Sequence, residues 1–399
     1  MTSRPVPLRS ALILLILACL GLAFTPNLGA IGHAQEAEEE AAAVPVGVLH
    51  FAACPEAEYE AYPTRCEPTD PLSSVLDPSI AREIMTLSPD GERRRLTEND
   101  IKEISAEWSS DGSRIAVSGI PDEAEGCHPY VMSASGGSMT SLIEDDTRVC
   151  TFPTDWSPSD EWILLTAAWY EGPADIYKIR PESVGTIPHD GLELLITHGH
   201  SAQWLSEHEF VYMDTRRKGG GIRTALSGGI PHKFLLKTPK RSSLRDLVLS
   251  PDRSKVAFVI WDDHAGHEGE VYVMRTDGTN LRRLTNNSWD EEGLSWSPDG
   301  SRLAFFVGNA YGEAYGGEKP FRPHTVNLRS GVVRKLSHPS KVEPLLTTLW
   351  SPDGRYVAFE AGTGYGTNSL RAIFASPIKG GPALRLTDFS HAIDLLGWR

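Results

Sequence analysis

Basic residues are scarce in this sequence. Its 399 residues carry 38 Lys and Arg against 53 Asp and Glu, a formal net charge of −15 at pH 7. Contacts with a phosphate backbone want a basic face, so the balance argues against a nucleic-acid partner. It names no other partner, because many proteins are acidic simply to stay soluble. Cysteine is scarce too, with 5 residues and no pair in C-x-x-C spacing, which argues against a zinc site. Long apolar runs are missing except for Ala11 to Phe24 (ALILLILACLGLAF). That run is short for a spanning helix, which needs about 20 residues. With Arg4 and Arg9 ahead of it and small Gly32 and Ala34 behind it, it reads as a secretory signal over residues 1–34, cleaved after Ala34. An uncleaved anchor is the alternative and would be the chain's one membrane contact. Residues 35–45, with Glu36 to Glu40 (EAEEE), read as an acidic leader ahead of a folded region over 46–399.

Export sets an oxidising, extracytoplasmic compartment: periplasm, cell surface or medium. Apart from Cys19, the cysteines are Cys54, Cys66, Cys127 and Cys150. Four cysteines in that setting suggest two disulfides, with three pairings open; free buried thiols are the other reading.

What is abundant is turn chemistry, 36 Gly and 28 Pro, and it recurs in one phrase. WSPDG stands at Trp296 and Trp350, WSSDG at Trp108, WSPSD at Trp156 and LSPD at Leu249, each followed by an apolar run. A worn copy starts at Trp204, and the chain closes on Trp398-Arg399. The steps between Trp108, Trp156, Trp204, Leu249, Trp296, Trp350 and Trp398 are 48, 48, 45, 47, 54 and 48 residues. Six of the 10 tryptophans occupy this position, too many for chance. Each copy encodes a hairpin around Pro and Gly turn residues, then a second hairpin such as Val271 to Met274, a Thr-Asp-Gly turn and Leu281 to Thr285. Four strands per unit of this length predict an all-β fold, a β-propeller of four-stranded antiparallel blades. Val46 to Phe51 lacks a preceding first strand, which Ile393 to Trp398 supplies, so the expectation is seven blades closed by pairing of the two terminal strands. A six-bladed ring with an unrelated N-terminal segment is the alternative.

The phrase W-S-P-D-G-x-x-[IL]-A-F, with a Y-V-M-like strand, a D-G turn and R-x-L-T downstream, resembles the TolB-type (WD40-like) propeller repeat over nearly all of 46–399. The resemblance implies a binding platform: TolB docks a peptidoglycan-associated lipoprotein, and related propellers gate prolyl-oligopeptidase-like hydrolases. This sequence departs from both. It has no room for TolB's extra α/β domain, no G-x-S-x-G elbow and no length for a hydrolase domain.

The repeat places the short SPDG and DG turns on one face. The loops from strand two to strand three, and from blade to blade, lie on the other. Nearly all length variation falls in that second set, where function concentrates. These loops hold Trp169, Tyr170, Trp261, Asp262, Asp263, Tyr311, Tyr315, Phe321 and Tyr365, aromatics and acids suited to an interface. The competing reading packs about half of the aromatics against their own blades. On this topology Cys54 pairs with Cys66, and Cys127 with Cys150. His198, His200 and Gln203 with His264 and His267 are the one hint of a divalent metal. The oligogalacturonate lyases of this repeat class resemble such a set, with manganese held by His and Gln. Otherwise no cofactor is expected. Carboxylate pairs such as Glu291-Glu292 read as solvated, and the Arg216 to Gly221 loop lacks Walker spacing. The leading expectation is a non-enzymatic platform for a protein, peptide or glycan of the cell envelope. A metal-dependent uronate lyase or other hydrolytic enzyme is the alternative, and a purely structural envelope component a third.

Overall fold

The computed structural model describes residues 46–53, 82–121, 126–143, 149–169, 173–183, 192–216, 219–262, 268–287, 289–309, 319–340, 343–362, 370–388 and 393–399. The expected signal, leader and Cys54–Cys66 pair lie outside them.

Each repeat folds as its turn chemistry dictates. In blade 6, Ser297 Oγ donates to Asp299 Oδ1 (2.6 Å), Ser301 N donates to the same oxygen (3.0 Å), and Gly300 N returns to Ser297 O (2.8 Å). Gly300 sits at φ +63°, a conformation other residues adopt at a cost. The same Ser–Asp bond closes the turns at Ser109, Ser250 and Ser351.

Seven antiparallel four-stranded sheets result, an all-β, seven-bladed propeller. Blade 1 joins Leu49–Ala53, Glu83–Leu87 and Arg93–Arg95 to Ile393–Trp398. Blades 2 to 7 are contiguous: 101–141, 149–196, 199–237, 242–283, 290–335 and 343–385. The first strand of each is innermost and touches the inner strands on either side, so the ring closes. The expected terminal pairing is present, with Leu49 opposite Trp398 and Ala53 opposite Ile393. Blade 4, built from the worn copy at Trp204, has all four strands.

The core lies between blades rather than on the axis. Trp156, Ile163 and Leu165 of blade 3 pack on Ala116, Val131 and Leu142 of blade 2. Trp296, Leu303 and Phe305 of blade 6 pack on Ala257, Val259 and Val273 of blade 5. Each fully buried aliphatic or aromatic side chain contributes roughly 1.5–3 kcal/mol. The repeated Trp also stitches blades by a hydrogen bond. Nε1 of Trp156, Trp296 and Trp350 donates to Glu107 O (2.9 Å), Val248 O (3.1 Å) and Ser295 O (3.2 Å), each on the preceding inner strand. Trp398 Nε1 instead bonds within blade 1, donating to Val46 O (2.6 Å) just ahead of Leu49–Ala53 and so tying the two ends of the chain together. Among the described residues no helix is long and apolar enough to cross a membrane.

Candidate site on the long-loop face

Inner strands begin, second strands end and third strands begin on the face of the long loops. Buried charge is concentrated there. Arg82, Glu83, Lys102, Glu103, Asp214, Glu270, Asp290, Glu291, Glu292, Glu360 and Arg371 are all buried at these strand ends. Burying charge is costly unless it is paired; Asp214 is paired with Arg216 and Arg223, and most of the rest is organised into three networks.

Two of them share one design. Glu83 Oε1 accepts from Arg95 Nη2 (2.7 Å) and Asn99 N (3.1 Å), and Asn99 Nδ2 donates to Glu103 Oε1 (3.1 Å). In blade 5, Glu270 Oε1 accepts from Arg283 Nη2 (2.5 Å) and Asn287 N (2.8 Å), and Asn287 Nδ2 donates to Glu291 Oε1 (2.5 Å). The underlying pattern is R-L-T-x-N-x-x-x-E, at Arg95 to Glu103 and Arg283 to Glu291. Burial, reinforced by Glu83, pushes the Glu103 carboxyl up to about 8. Burial, with Glu270 and Asp290 adding to it, pushes Glu291 up to about 9. The third network joins blades 7 and 1. Asp394 pairs with Arg82 and stands 3.9 Å from Arg371 Nη1, while Glu360 Oε1 accepts from Leu395 N (2.5 Å). Burial and the neighbouring Arg371 bring Arg82 down to about 10.

The residue four positions before the repeat Trp (Leu249 in blade 5) sets the character of each inner strand near this face. It is Ile104 and Phe152 in blades 2 and 3, then His200, Arg245, Glu292, Leu346 and Asp394 in blades 4, 5, 6, 7 and 1. His200, Arg245 and Glu292 make a polar stretch of the ring mouth over blades 4 to 6, and Ile104 and Phe152 an apolar one over blades 2 and 3. Arg245 lies over the Trp261 ring (4.1 Å) and 3.8 Å from Glu292 Oε1. Glu292 is 2 % exposed, and neither carboxylate oxygen has a hydrogen-bond partner among the described residues. Burial, with Asp246 beside it, holds its carboxyl well above the usual range. Burial holds His200 down at about 4, so its imidazole is neutral at pH 7, with Nδ1 2.8 Å from Ser201 Oγ.

The sequence-derived candidates fall as follows. Trp261 is not a loop aromatic: it belongs to the strand Lys255–Asp262, is 2 % exposed and packs under Arg245. Phe321 is likewise buried within Lys319–Asn327. In both cases the strands run further toward the loop than the turn residues suggest. Asp262 is exposed at the strand end, and Trp169 ends the strand Ile163–Trp169. Tyr170, Asp263, Tyr311, Tyr315, Tyr365, His264 and His267 lie outside the described residues. His198 is exposed at φ +60°. Gln203 is committed elsewhere, with Nε2 donating to Leu247 O (2.9 Å) and Oε1 accepting from Leu249 N (2.7 Å). Among the described residues no three His, Cys, Asp or Glu side chains meet in a metal-holding group. Cys127 and Cys150 form the expected disulfide, linking the start of the third strand of blade 2 to the inner strand of blade 3. The carboxylates Glu291 and Glu292 are buried, not solvated. Arg82, Arg245, Glu360 and Arg371 were not singled out from sequence. Only register counted back from the Trp would have aligned Arg245, Glu292 and Asp394.

No family model matches the sequence, and no curated protein matches it. Solved structures do. An oligogalacturonate lyase in complex with manganese is similar at a TM-score of 0.57 and 11% identity, over 75% of this chain and 83% of that one. The β-propeller domain of the Trilobed protease from Pyrococcus furiosus, described as having an open velcro topology, is similar at 0.53 and 14% identity, over 77% and 87%. TolB from Acinetobacter baumannii aligns at 0.46 and 15% identity, over 85% and 65%. At these identities the likeness to the first two is one of fold alone; the class, a seven-bladed propeller, is given by the strand order.

Proposed function

We propose that this chain is an exported propeller that binds a protein, peptide or glycan of the cell envelope on its long-loop face, without catalysing a reaction. The observation carrying this reading is the coincidence, on one face, of the long loops and nearly all the buried charge. Networks of that kind fix a rigid rim for loops to work from. The Cys127–Cys150 disulfide supports an oxidising compartment, and with it the signal over residues 1–34.

The experiment is capture from envelope extract and a glycan array, using the chain from Gln35 onward. A variant carrying Tyr311→Ala, Tyr315→Ala and Tyr365→Ala is the comparison, because Trp261→Ala would disturb the core. Ligands held by the parent and lost by the variant support the reading. Equal recovery on both overturns the placement on this face. A second reading, a metal-dependent uronate lyase, draws on the neutral His200 in the polar stretch of the ring mouth. It would have to do without Gln203, whose amide is already engaged. Metal content after purification and unsaturated product from polygalacturonate distinguish it.

A further inference from the structure

The outer strands of five blades are basic. In blades 4, 5, 6, 7 and 1, consecutive around the ring, they are Pro231–Lys237, Arg282–Arg283, Val333–Lys335, Leu384–Arg385 and Arg93–Arg95, with no acid among them. Blades 2 and 3 have Thr140–Ser141 and Glu193–Ile196 instead. Part of this is construction. Lys233 donates to Asp277 O, Arg282 to Leu328 O and Arg94 to Ser135 O, each reaching a turn of the next blade. Charged edges also discourage strand pairing with other molecules.

Between blades 5 and 6 there is more than construction. On the face of the short turns, opposite the long loops, a groove of about 710 Å³ opens. Lys255, Arg275, Arg282 and Arg329 line it, with no acid, over apolar Val273, Met274 and Leu328. Leu281, Val332 and Val333 stand 47, 49 and 42 % exposed on the adjoining turn and strand residues. Asp252 and Asp277 approach Lys255 (3.6 Å) and Arg275 (3.3 Å), but exposed pairs are worth at most about 1 kcal/mol and exchange readily. Arg282 spends one nitrogen on Leu328 O and keeps further donors. Arg329 has no ion pair among the described residues.

We infer that this groove docks an acidic, partly aliphatic segment of another polypeptide. A positive groove on a chain of net charge −15 is a local inversion of the field and draws anionic groups to itself. The apolar floor and the exposed Leu and Val residues suit aliphatic side chains set between carboxylates. A glycan would want aromatic faces for its rings, and no aromatic residue lines the groove. An anionic membrane would meet a broad polybasic patch rather than a concavity. This surface is independent of the long-loop face, so either stands if the other fails.

The test is fluorescence anisotropy with a labelled peptide of alternating Glu and Leu. It compares the parent, Arg275→Glu/Arg329→Glu, and Lys379→Glu as a charge reversal outside the groove. Saturable binding to the parent is expected. The double variant should weaken it about tenfold or more, added salt should weaken it too, and Lys379→Glu should leave it unchanged. Melting curves check that the variants are folded; both substituted arginines are exposed, Arg275 at a strand end and Arg329 in a turn. Equal binding by parent and double variant overturns the inference. So does a parent that ignores the peptide, whether or not it takes phosphatidylglycerol vesicles or polygalacturonate.

Discussion

The repeated Trp position shows how one side chain can serve two purposes, and one copy separates them. Trp296 buries its ring between blades and also donates Nε1 to Val248 O. Trp204 is fully buried, but its Nε1 has no partner among the described residues. Replacing either by Phe removes the same volume, while only Trp296→Phe gives up a hydrogen bond. Trp296→Phe is therefore expected to cost about 1 kcal/mol more than Trp204→Phe in urea unfolding; equal costs would mean that the Nε1 contact adds nothing. A second residue-scale expectation concerns Glu103. Its carboxyl would lose its proton near 4.5 when unfolded, and burial keeps it on up to about 8 in the fold. Between those values the folded state holds more protons, so this group lowers stability as pH rises from about 4.5 to about 8. Glu103→Gln keeps an acceptor for Asn99 and removes the titration. Its melting temperature should gain on the parent's by about 2 °C or more between pH 5 and pH 9. Melting curves that stay parallel across that range would show that Glu103 ionises normally.

Blades 2 and 3 differ as elements from blades 4, 5, 6 and 1. Where blades 4, 5, 6 and 1 place His, Arg, Glu and Asp near the ring mouth, these two place Ile104 and Phe152. Those residues pack with Cys127, Cys150, Ile120 and Ala168, and the disulfide crosses the same boundary. A covalent staple thus occupies the place that ion pairs fill elsewhere. Cys127→Ser/Cys150→Ser is expected to lower stability by about 3 kcal/mol, and reductant should do the same to the parent but not to the variant. If reductant leaves the parent's unfolding midpoint unchanged, the staple is dispensable. The strands themselves were legible because turn chemistry and the Trp spacing repeat every blade, and even the worn copy kept its period. The buried charges were less so. Glu291-Glu292 looks like a solvated pair when read locally, because what buries it is the neighbouring blade, 45 or so residues away in sequence. Trp261 misled for the related reason that its strand continues past the point where apolar alternation fades into Asp262.

At the scale of the whole molecule the ring depends on one short strand. Ile393–Trp398 completes blade 1, and Arg399 exchanges backbone hydrogen bonds with Val48 beyond it. The strand brings Ile393, Leu395 and Trp398 into a core shared with Leu49 and Phe51, and carries Asp394 to buried Arg82. Removing residues 393–399 therefore does three things at once. It opens a strand edge on Leu49–Ala53, deletes apolar contacts between blades 7 and 1, and takes from Arg82 and Arg371 a carboxylate that sits between them. An open apolar edge pairs with whatever edge it meets, so the truncated chain should lose its single sharp melting transition and elute from gel filtration as larger species. A synthetic peptide of residues 393–399 in excess should restore part of both, since binding the folded form raises its stability by mass action. A truncated chain that melts like the parent and elutes with it without the peptide would mean that the other six blades hold the ring unaided, with terminal pairing incidental to its stability.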